Sequence, residues 1–320
     1  LPASSARKNR VDFVNILVTG CRGQLGTELS RQAGERGWAV QCADRPYFEI
    51  TDPKVVERTV FESQAALVIN TAAYTAVDQA ETEAAEAFAV NREGPAFLAS
   101  ACARHGVPLI HLSTDYVFDG TKNGPYLETD PVSPVSTYGK SKADGEEEIR
   151  RRIHDHIILR TSWLYGVSGR NFVRTMLRLG RDQDVLRVVD DQVGCPTFAE
   201  DLARAVLDMA AVIHRRDAPV WGTYHYCGEG RTTWYGLAIE LFKKANAYEP
   251  FALQRVIPIS TEEFPTAARR PANSVLDCSR LTQVFGVKRI PWEKSLAHML
   301  KRYYATRGLT ASSARKRLAR

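Results

Sequence analysis

The sequence predicts an α/β fold: a doubly wound parallel sheet joined to a smaller, interleaved C-terminal unit. Two observations carry that expectation. Short apolar, β-branched runs alternate with helical stretches through the first half of the chain, and such alternation builds a parallel sheet with helices on both faces. Directly after the first run, glycines recur every third residue at what reads as a strand-to-helix junction, where an open sheet of this kind holds its ligand.

The first run, "NILVT" (Asn15–Thr19), is continuously apolar and reads as a buried strand. "TGCRGQLG" follows, with Gly20, Gly23 and Gly26 spaced G-x-x-G-x-x-G and a helix starting near Gln24 and Leu25. Glycines there permit a tight turn and close backbone approach, while the helix aims its first amides at a pyrophosphate. "LVINTAA" (Leu67–Ala73) and "VPLIHLST" (Val107–Thr114) are further strands, separated by an alanine-rich helix over Glu83–His105. "HIILRTSW" (His156–Trp163) extends the same sheet. Beyond Tyr165 the pattern loosens: helices are expected over Asn171–Gly180, Ala199–His214 and Thr233–Ala245, and strands over Leu186–Val189 and Thr223–Cys227. The Pro- and Arg-rich loop "PTAARRPANS" (Pro265–Ser274) lies in this second half.

Composition narrows the function classes. The net charge of +6 on 320 residues suggests nucleic acid at first sight, but its location argues otherwise. Residues 1–10 carry three Lys or Arg and residues 301–320 carry seven, with no Asp or Glu in either segment; basic ends of this sort read as solvated tails. The recurrence of "ASSARK" at Ala3–Lys8 and Ala311–Lys316 has no physical account. No apolar run reaches the length of a membrane span, and "LPASSARKNR" lacks the apolar stretch of a secretory signal. The expectation is a soluble, cytoplasmic protein that binds neither nucleic acid nor membrane. Six scattered cysteines without a C-x-x-C pair then read as reduced, mostly buried thiols rather than a disulfide or zinc framework.

The glycine turn at the strand-to-helix junction points to a dinucleotide. Asp44, after the expected second strand, would bond the adenosine ribose 2′-hydroxyl and favours NAD; Arg45 beside it would pair with the 2′-phosphate of NADP. The reading leans to NADPH, with NADH usable. Farther on, "STYGKSK" (Ser136–Lys142) sets Tyr138 and Lys142 at i and i+4, on one helix face if a helix starts there. A cation so placed would lower the phenol pKa and fit the tyrosine for acid–base work.

The glycine turn, "NTAAYTAVD" (Asn70–Asp78), "STDYVFDG" (Ser113–Gly120) and "YGKSK" (Tyr138–Lys142) stand in the order of the extended short-chain dehydrogenase/reductases, which the sequence resembles. With "ETDPVSPVSTYGKSK", "RTSWLYG", "NFVRTML" and "DDQVGCPT", it is similar to the dTDP-4-dehydrorhamnose reductases from about Asn15 to Tyr304. The resemblance implies a Rossmann-like NAD(P)-binding domain over residues 15–165, with returns near 186–227, and a mainly substrate-binding domain over 166–306. Basic tails would cover 1–14 and 307–320.

It also implies roles. NAD(P)H would reduce C4 of a nucleotide-linked 4-keto-6-deoxysugar, Tyr138 would protonate the oxygen, Lys142 would hold the nicotinamide ribose, and Thr114 would polarise the ketone. Ala73, Tyr74 and Thr75 would lie beside the cofactor, and Asp115, Trp163 and Asn171 would face the sugar with Thr75 and Val77. Glu49, followed by Ile50, stands where the family usually has an aspartate touching the adenine. Glu28, Glu200 and Glu293 match carboxylates that in some relatives hold Mg2+ at a homodimer interface; three solvated glutamates are the alternative. Two rival readings are a reductase of another 4-ketosugar and a non-catalytic NADP-binding subunit like that of methionine adenosyltransferase.

Overall fold

The computed structural model describes residues 14–215 and 221–309. The repeated "ASSARK" segments lie outside them. The first half reads β1 (Asn15–Thr19), α1 (Gln24–Glu35), β2 (Ala39–Ala43), α2 (Pro53–Ser63), β3 (Leu67–Asn70), α3 (Ala84–Phe88), α4 (Gly94–His105), β4 (Leu109–Thr114), α5 (Thr137–Arg152) and β5 (His156–Thr161). The second half reads β6 (Leu164–Tyr165), α6 (Phe172–Asp182), β7 (Val185–Val189), β8 (Val193–Gly194), β9 (Thr197–Phe198), α7 (Ala199–Arg215), β10 (Gly222–His225) and β11 (Thr232–Thr233). It ends with α8 (Trp234–Ala245), β12 (Arg255–Ile259), β13 (Asn273–Ser274), α9 (Ser279–Phe285) and α10 (Trp292–Ala305). No described helix is long and apolar enough to cross a membrane.

The main sheet has the order β10-β5-β4-β3-β1-β2 and all its pairings are parallel. Alternation along β1 divides two cores. Ile16 and Val18 face α1 and α7 through Leu29, Leu202 and Val206; Leu17 faces α2 and α4 through Val56, Val60 and Leu98. The order of the chain reverses between β1 and β3, so a crevice opens at their C-terminal ends. A third core, with Leu177, Leu241, Leu296 and Tyr304 at its centre, joins α6, α8 and α10. The loop after β3 is clamped to this second half: Arg270 Nη2 lies 2.7 Å from Asp78 Oδ2, and the Ala268 amide donates to Asp78 Oδ1 at 3.1 Å.

Three expectations are corrected. Of the expected returns to the main sheet only β10, with its helix α7, joins it, whereas Leu186–Val189 pairs in parallel with β12. The helix over Glu83–His105 is broken by a π-helical turn at Ala89–Glu93. That turn presents Asn91, whose Oδ1 accepts from the Tyr74 amide at 2.9 Å and whose Nδ2 donates to the Tyr74 carbonyl at 3.0 Å; a bulge of this kind re-aims a side chain toward a functional region. Finally, Cys21 and Cys42 form a disulfide, with Cα atoms 5.6 Å apart. They are distant in sequence, but the parallel register that sets Val18 beside Cys42 brings the turn after β1 against the end of β2. The other four cysteines are free and buried, as expected.

Candidate active site

The glycine turn is built as its spacing requires. Gly20 has φ +68°, and a Cβ there would sit 2.6 Å from the Ala72 amide nitrogen. Gly26 meets the backbone of Cys21, so α1 packs tightly on the turn. No side chain caps α1 at Gly23, which leaves its first amides available to an anion. A cleft of about 300 Å³ runs from Gly20 and Gly23 past Asp44, Arg45, Glu49 and Ile50 to Ala73 and Tyr74.

Asp44 Oδ2 accepts from the Arg22 amide at 2.8 Å. Arg45 turns to Glu49, Nε to Oε2 2.8 Å, and Thr51 Oγ1 donates to Glu49 Oε1 at 3.0 Å. Burial opposes charge on Glu49, yet the Arg45 and Thr51 bonds hold its pKa below the usual value. Arg22, not weighed in the sequence, lies in the same corner, its Nη1 donating to the Arg45 carbonyl at 3.0 Å. The signal was there: a guanidinium inside the glycine turn.

The crevice continues into a cavity of about 570 Å³ bordered by Gln24, Leu25, Thr75, Val77, Thr114, Asp115, Tyr138, Lys142 and Trp163. Residues from α1, α5, the end of β4 and the loops after β3, β4 and β5 thus meet where the sequence places the chemistry. Ser136 caps α5 by accepting from the Gly139 amide at 3.1 Å, so Tyr138 and Lys142 do lie one turn apart on the helix start. A larger hollow of about 920 Å³ lies near Phe61, His105 and Trp221; none of the expected site residues borders it.

The electrostatics depart from expectation. Burial pushes the Tyr138 phenol up to about 12, against a hydrogen bond with Thr114 and helped by Asp115. Burial pushes Lys142 down to about 8, although Glu146 favours its charge. Removing both groups from water penalises charge on each, and that outweighs the attraction expected from i, i+4 proximity. Lys142 Nζ donates to the Leu112 carbonyl at 2.7 Å. Tyr138 is therefore a protonated acid at neutral pH.

Asp115 is buried beside them. Thr114 Oγ1 donates to its Oδ1 at 3.1 Å, while Oδ2 finds no partner among the described residues. Burial raises its pKa to about 7, despite Ser274 and Thr114. An orphaned buried carboxylate oxygen suits a ligand hydroxyl. With the carboxylate charged only above about pH 7, KM for a hydroxylated substrate is expected to rise as pH falls through that value. Asp115→Asn should raise KM about tenfold and flatten the pH dependence, the loss of one charge-assisted hydrogen bond; initial-rate kinetics between pH 6 and pH 8.5 check it.

Trp163 adopts φ +48°, a conformation uncommon for a bulky residue, and its ring stacks on Trp234 at 3.5 Å between centroids. Gly194, in "DDQVGCPT", makes room for the indole, since a Cβ there would run into it. Asn171 does not border the cavity. Its Oδ1 caps α6 by accepting from the Arg174 amide at 3.0 Å, and its Nδ2 donates to Gln24 Oε1 at 2.8 Å; the amide is committed to holding Gln24, which lines the wall. The structure gives the magnesium expectation no support. Arg302 Nη1 lies 2.9 Å from Glu28 and also pairs with Glu200, Arg31 bonds Glu28 at 2.9 Å, and Glu293 is exposed. Guanidinium groups neutralise the carboxylates a cation would need, and no group of three potential ligands that could hold a metal occurs among the described residues.

Comparison with known proteins agrees with this geometry. The chain is 42% identical over 289 residues to a dTDP-4-dehydrorhamnose reductase of Aggregatibacter actinomycetemcomitans, covering 90% of this chain and 98% of the relative. A solved dTDP-4-dehydrorhamnose reductase from Clostridium acetobutylicum superposes with TM-score 0.83 at 40% identity, covering 89% of this chain and 98% of the other. One from Bacillus anthracis, solved in complex with NADP, superposes with TM-score 0.82 at 35% identity, covering 90% and 98%. The family model described as the RmlD substrate binding domain matches residues 14–305, and the chain belongs to that family.

Proposed function

We propose that this protein is a dTDP-4-dehydrorhamnose reductase, reducing the C4 ketone of dTDP-4-dehydro-L-rhamnose to dTDP-L-rhamnose with NADPH, and with NADH more weakly. The observation that carries it is the meeting of Thr114, Tyr138 and Lys142 in one cavity continuous with the glycine turn. The cradle fits a dinucleotide: Gly20 and Gly26 let the turn close on the neighbouring backbone where a Cβ would collide, and the uncapped start of α1 suits a diphosphate. When bound, the reduced nicotinamide supplies the hydride.

The chain's own residues supply the rest. The Tyr138 phenol, protonated at neutral pH, gives its proton to the oxygen on which negative charge develops. The Thr114 hydroxyl orients the ketone, and Asp115 accepts from a sugar hydroxyl. Lys142 holds the nicotinamide ribose through its Nζ. Burial of the pair strengthens each of these hydrogen bonds relative to water.

NADPH is favoured because Arg22 and Arg45 flank Asp44. Arg22→Ala should lower kcat/KM for NADPH about tenfold, the loss of one charge-assisted contact, and leave NADH little changed; parallel kinetics with both cofactors check it. A homodimeric state and a cytoplasmic location belong to the same reading, and sedimentation at several concentrations tests the former. The activity is tested by following NADPH oxidation with enzymatically generated 4-keto substrate alongside GDP- and UDP-linked 4-ketosugars. Product analysis should show dTDP-L-rhamnose. A folded preparation that binds NADPH and turns over none of them would favour the regulatory-subunit reading instead.

A further inference from the structure

Three polar residues lie abreast across the centre of the sheet, where apolar side chains would be expected. Thr19 on β1 stands beside Asn70 on β3, and Asn70 beside His111 on β4. All three are fully buried. The direction of their hydrogen bonds can be worked out from one end. The Ala72 amide donates to Asn70 Oδ1 at 3.1 Å, and a backbone N–H can only donate. Thr19 Oγ1 donates to the same oxygen at 2.7 Å. The Asn70 carboxamide is thereby fixed, and its Nδ2, 2.9 Å from His111 Nδ1, must be the donor.

His111 Nδ1 then accepts and carries no hydrogen. Burial holds the ring neutral, and a neutral imidazole bears its single hydrogen on the other nitrogen. That nitrogen, Nε2, lies 3.2 Å from Lys142 Nζ. An ammonium has three hydrogens and no lone pair, so it would meet Nε2–H hydrogen to hydrogen. An amine has a lone pair, and can accept from His111 while still donating to the Leu112 carbonyl at 2.7 Å.

We propose that His111 is a positioning residue for Lys142: with its tautomer set by Asn70, it donates Nε2–H to the lysine nitrogen and stabilises the uncharged amine in the cofactor-free protein. The inference rests on the reading of Lys142 as the tyrosine's partner in the reductase site. Other groups around the lysine do not supply the same bias. Glu146, one turn along α5, favours the ammonium but is itself engaged by Arg160 from β5 at 2.7 Å. Tyr138, on the preceding turn, is a neutral phenol near neutral pH. Asp115, after β4, titrates near 7, and when charged it too favours the ammonium. The functional consequence is that the charge on Lys142 is set within the neutral range rather than fixed, so cofactor binding and the proton state of the lysine are coupled.

The test needs no substrate, so a failure to reduce any ketosugar would leave its outcome intact. Imidazole nitrogen shifts of the 15N-histidine-labelled wild type, without cofactor, read the His111 tautomer directly. Nε2–H is expected; Nδ1–H would overturn the proposal. In 15N-lysine-labelled protein, Lys142, assigned by its loss in Lys142→Arg, is expected to titrate at least about one unit below the ordinary lysine value near 10.4. His111→Met leaves Asn70 a weak sulfur acceptor and offers the lysine no donor, and should move that midpoint up by about one unit. Asn70→Asp, which presents only acceptors to His111, should shift the ring hydrogen to Nδ1; its carboxylate raises the lysine midpoint by charge alone, so the imidazole nitrogen shifts are the readout there. A Lys142 midpoint equal to that of the other lysines, or one that folded His111→Met leaves unmoved, would show burial acting without His111 and overturn the proposal.

Discussion

Tyr138→Phe should lower kcat by about 10²–10⁴-fold, the usual contribution of a positioned proton donor, while leaving NADPH affinity nearly unchanged. The aromatic ring is buried and packs edge-on against Tyr116, with centroids 5.4 Å apart. Phenylalanine retains that contact and removes only the hydroxyl. The expected split between a large loss in kcat and a small change in cofactor Kd distinguishes proton delivery from a structural role. Because burial holds the phenol up at about 12, wild-type kcat should not fall at alkaline pH through loss of the tyrosine proton until well above neutral. Single-turnover rates and fluorescence titration with NADPH measure the two quantities separately.

Arg160→Met should be the most destabilising single change considered, at about 3 kcal/mol, because it removes the buried partner of Glu146 and leaves that carboxylate only the partly exposed Arg150, Nη2 to Oε2 2.7 Å. Arg160 and Glu146 are both almost wholly inaccessible. They meet in a two-pronged pair, Nε to Oε1 at 2.9 Å and Nη2 to Oε2 at 2.7 Å, and Ser113 Oγ donates to the same carboxylate at 2.6 Å. The pair ties α5 to β4 and β5 and so fixes the helix that carries Tyr138 and Lys142. Burial opposes the Glu146 charge, but Arg160, Arg150 and Ser113 hold its pKa down at about 2. A folded pKa below the unfolded value, near 4.3, contributes stability that is complete above pH 4.3 and lost as pH falls toward 2. Thermal midpoints of the wild type should fall across that window. In Arg160→Met they should already be low at pH 7, and a second change, Glu146→Leu, should restore much of the loss.

Much of the first half was legible in the sequence because local pattern and tertiary role agree there. The run Asn15–Thr19 is β1 to the residue, and the glycine turn sits where its spacing places it. Strand ends were overestimated where a side chain takes over from the ladder: Leu67–Ala73 was read as a strand, but it stops at Asn70, whose Oδ1 captures the Ala72 amide. The disulfide of Cys21 and Cys42 and the stack of Trp163 on Trp234 could not be read from separation along the chain, since register and crossovers create them. The same holds for the bond from Asn171 Nδ2 to Gln24, although the cap that Asn171 gives to α6 is local. The lowered tyrosine pKa was a sounder inference about spacing than about burial. Helical proximity is visible in a sequence, whereas the loss of water around both groups is not.

The most direct measurement is a crystal structure of the protein with NADP and dTDP-L-rhamnose. The sugar O4 is expected within hydrogen-bond reach of the Tyr138 hydroxyl, with the nicotinamide against the same carbon and the diphosphate at the start of α1. An O4 turned away from Tyr138, or a nucleotide sugar seated elsewhere than the cavity between Thr114 and Trp163, would contradict the account.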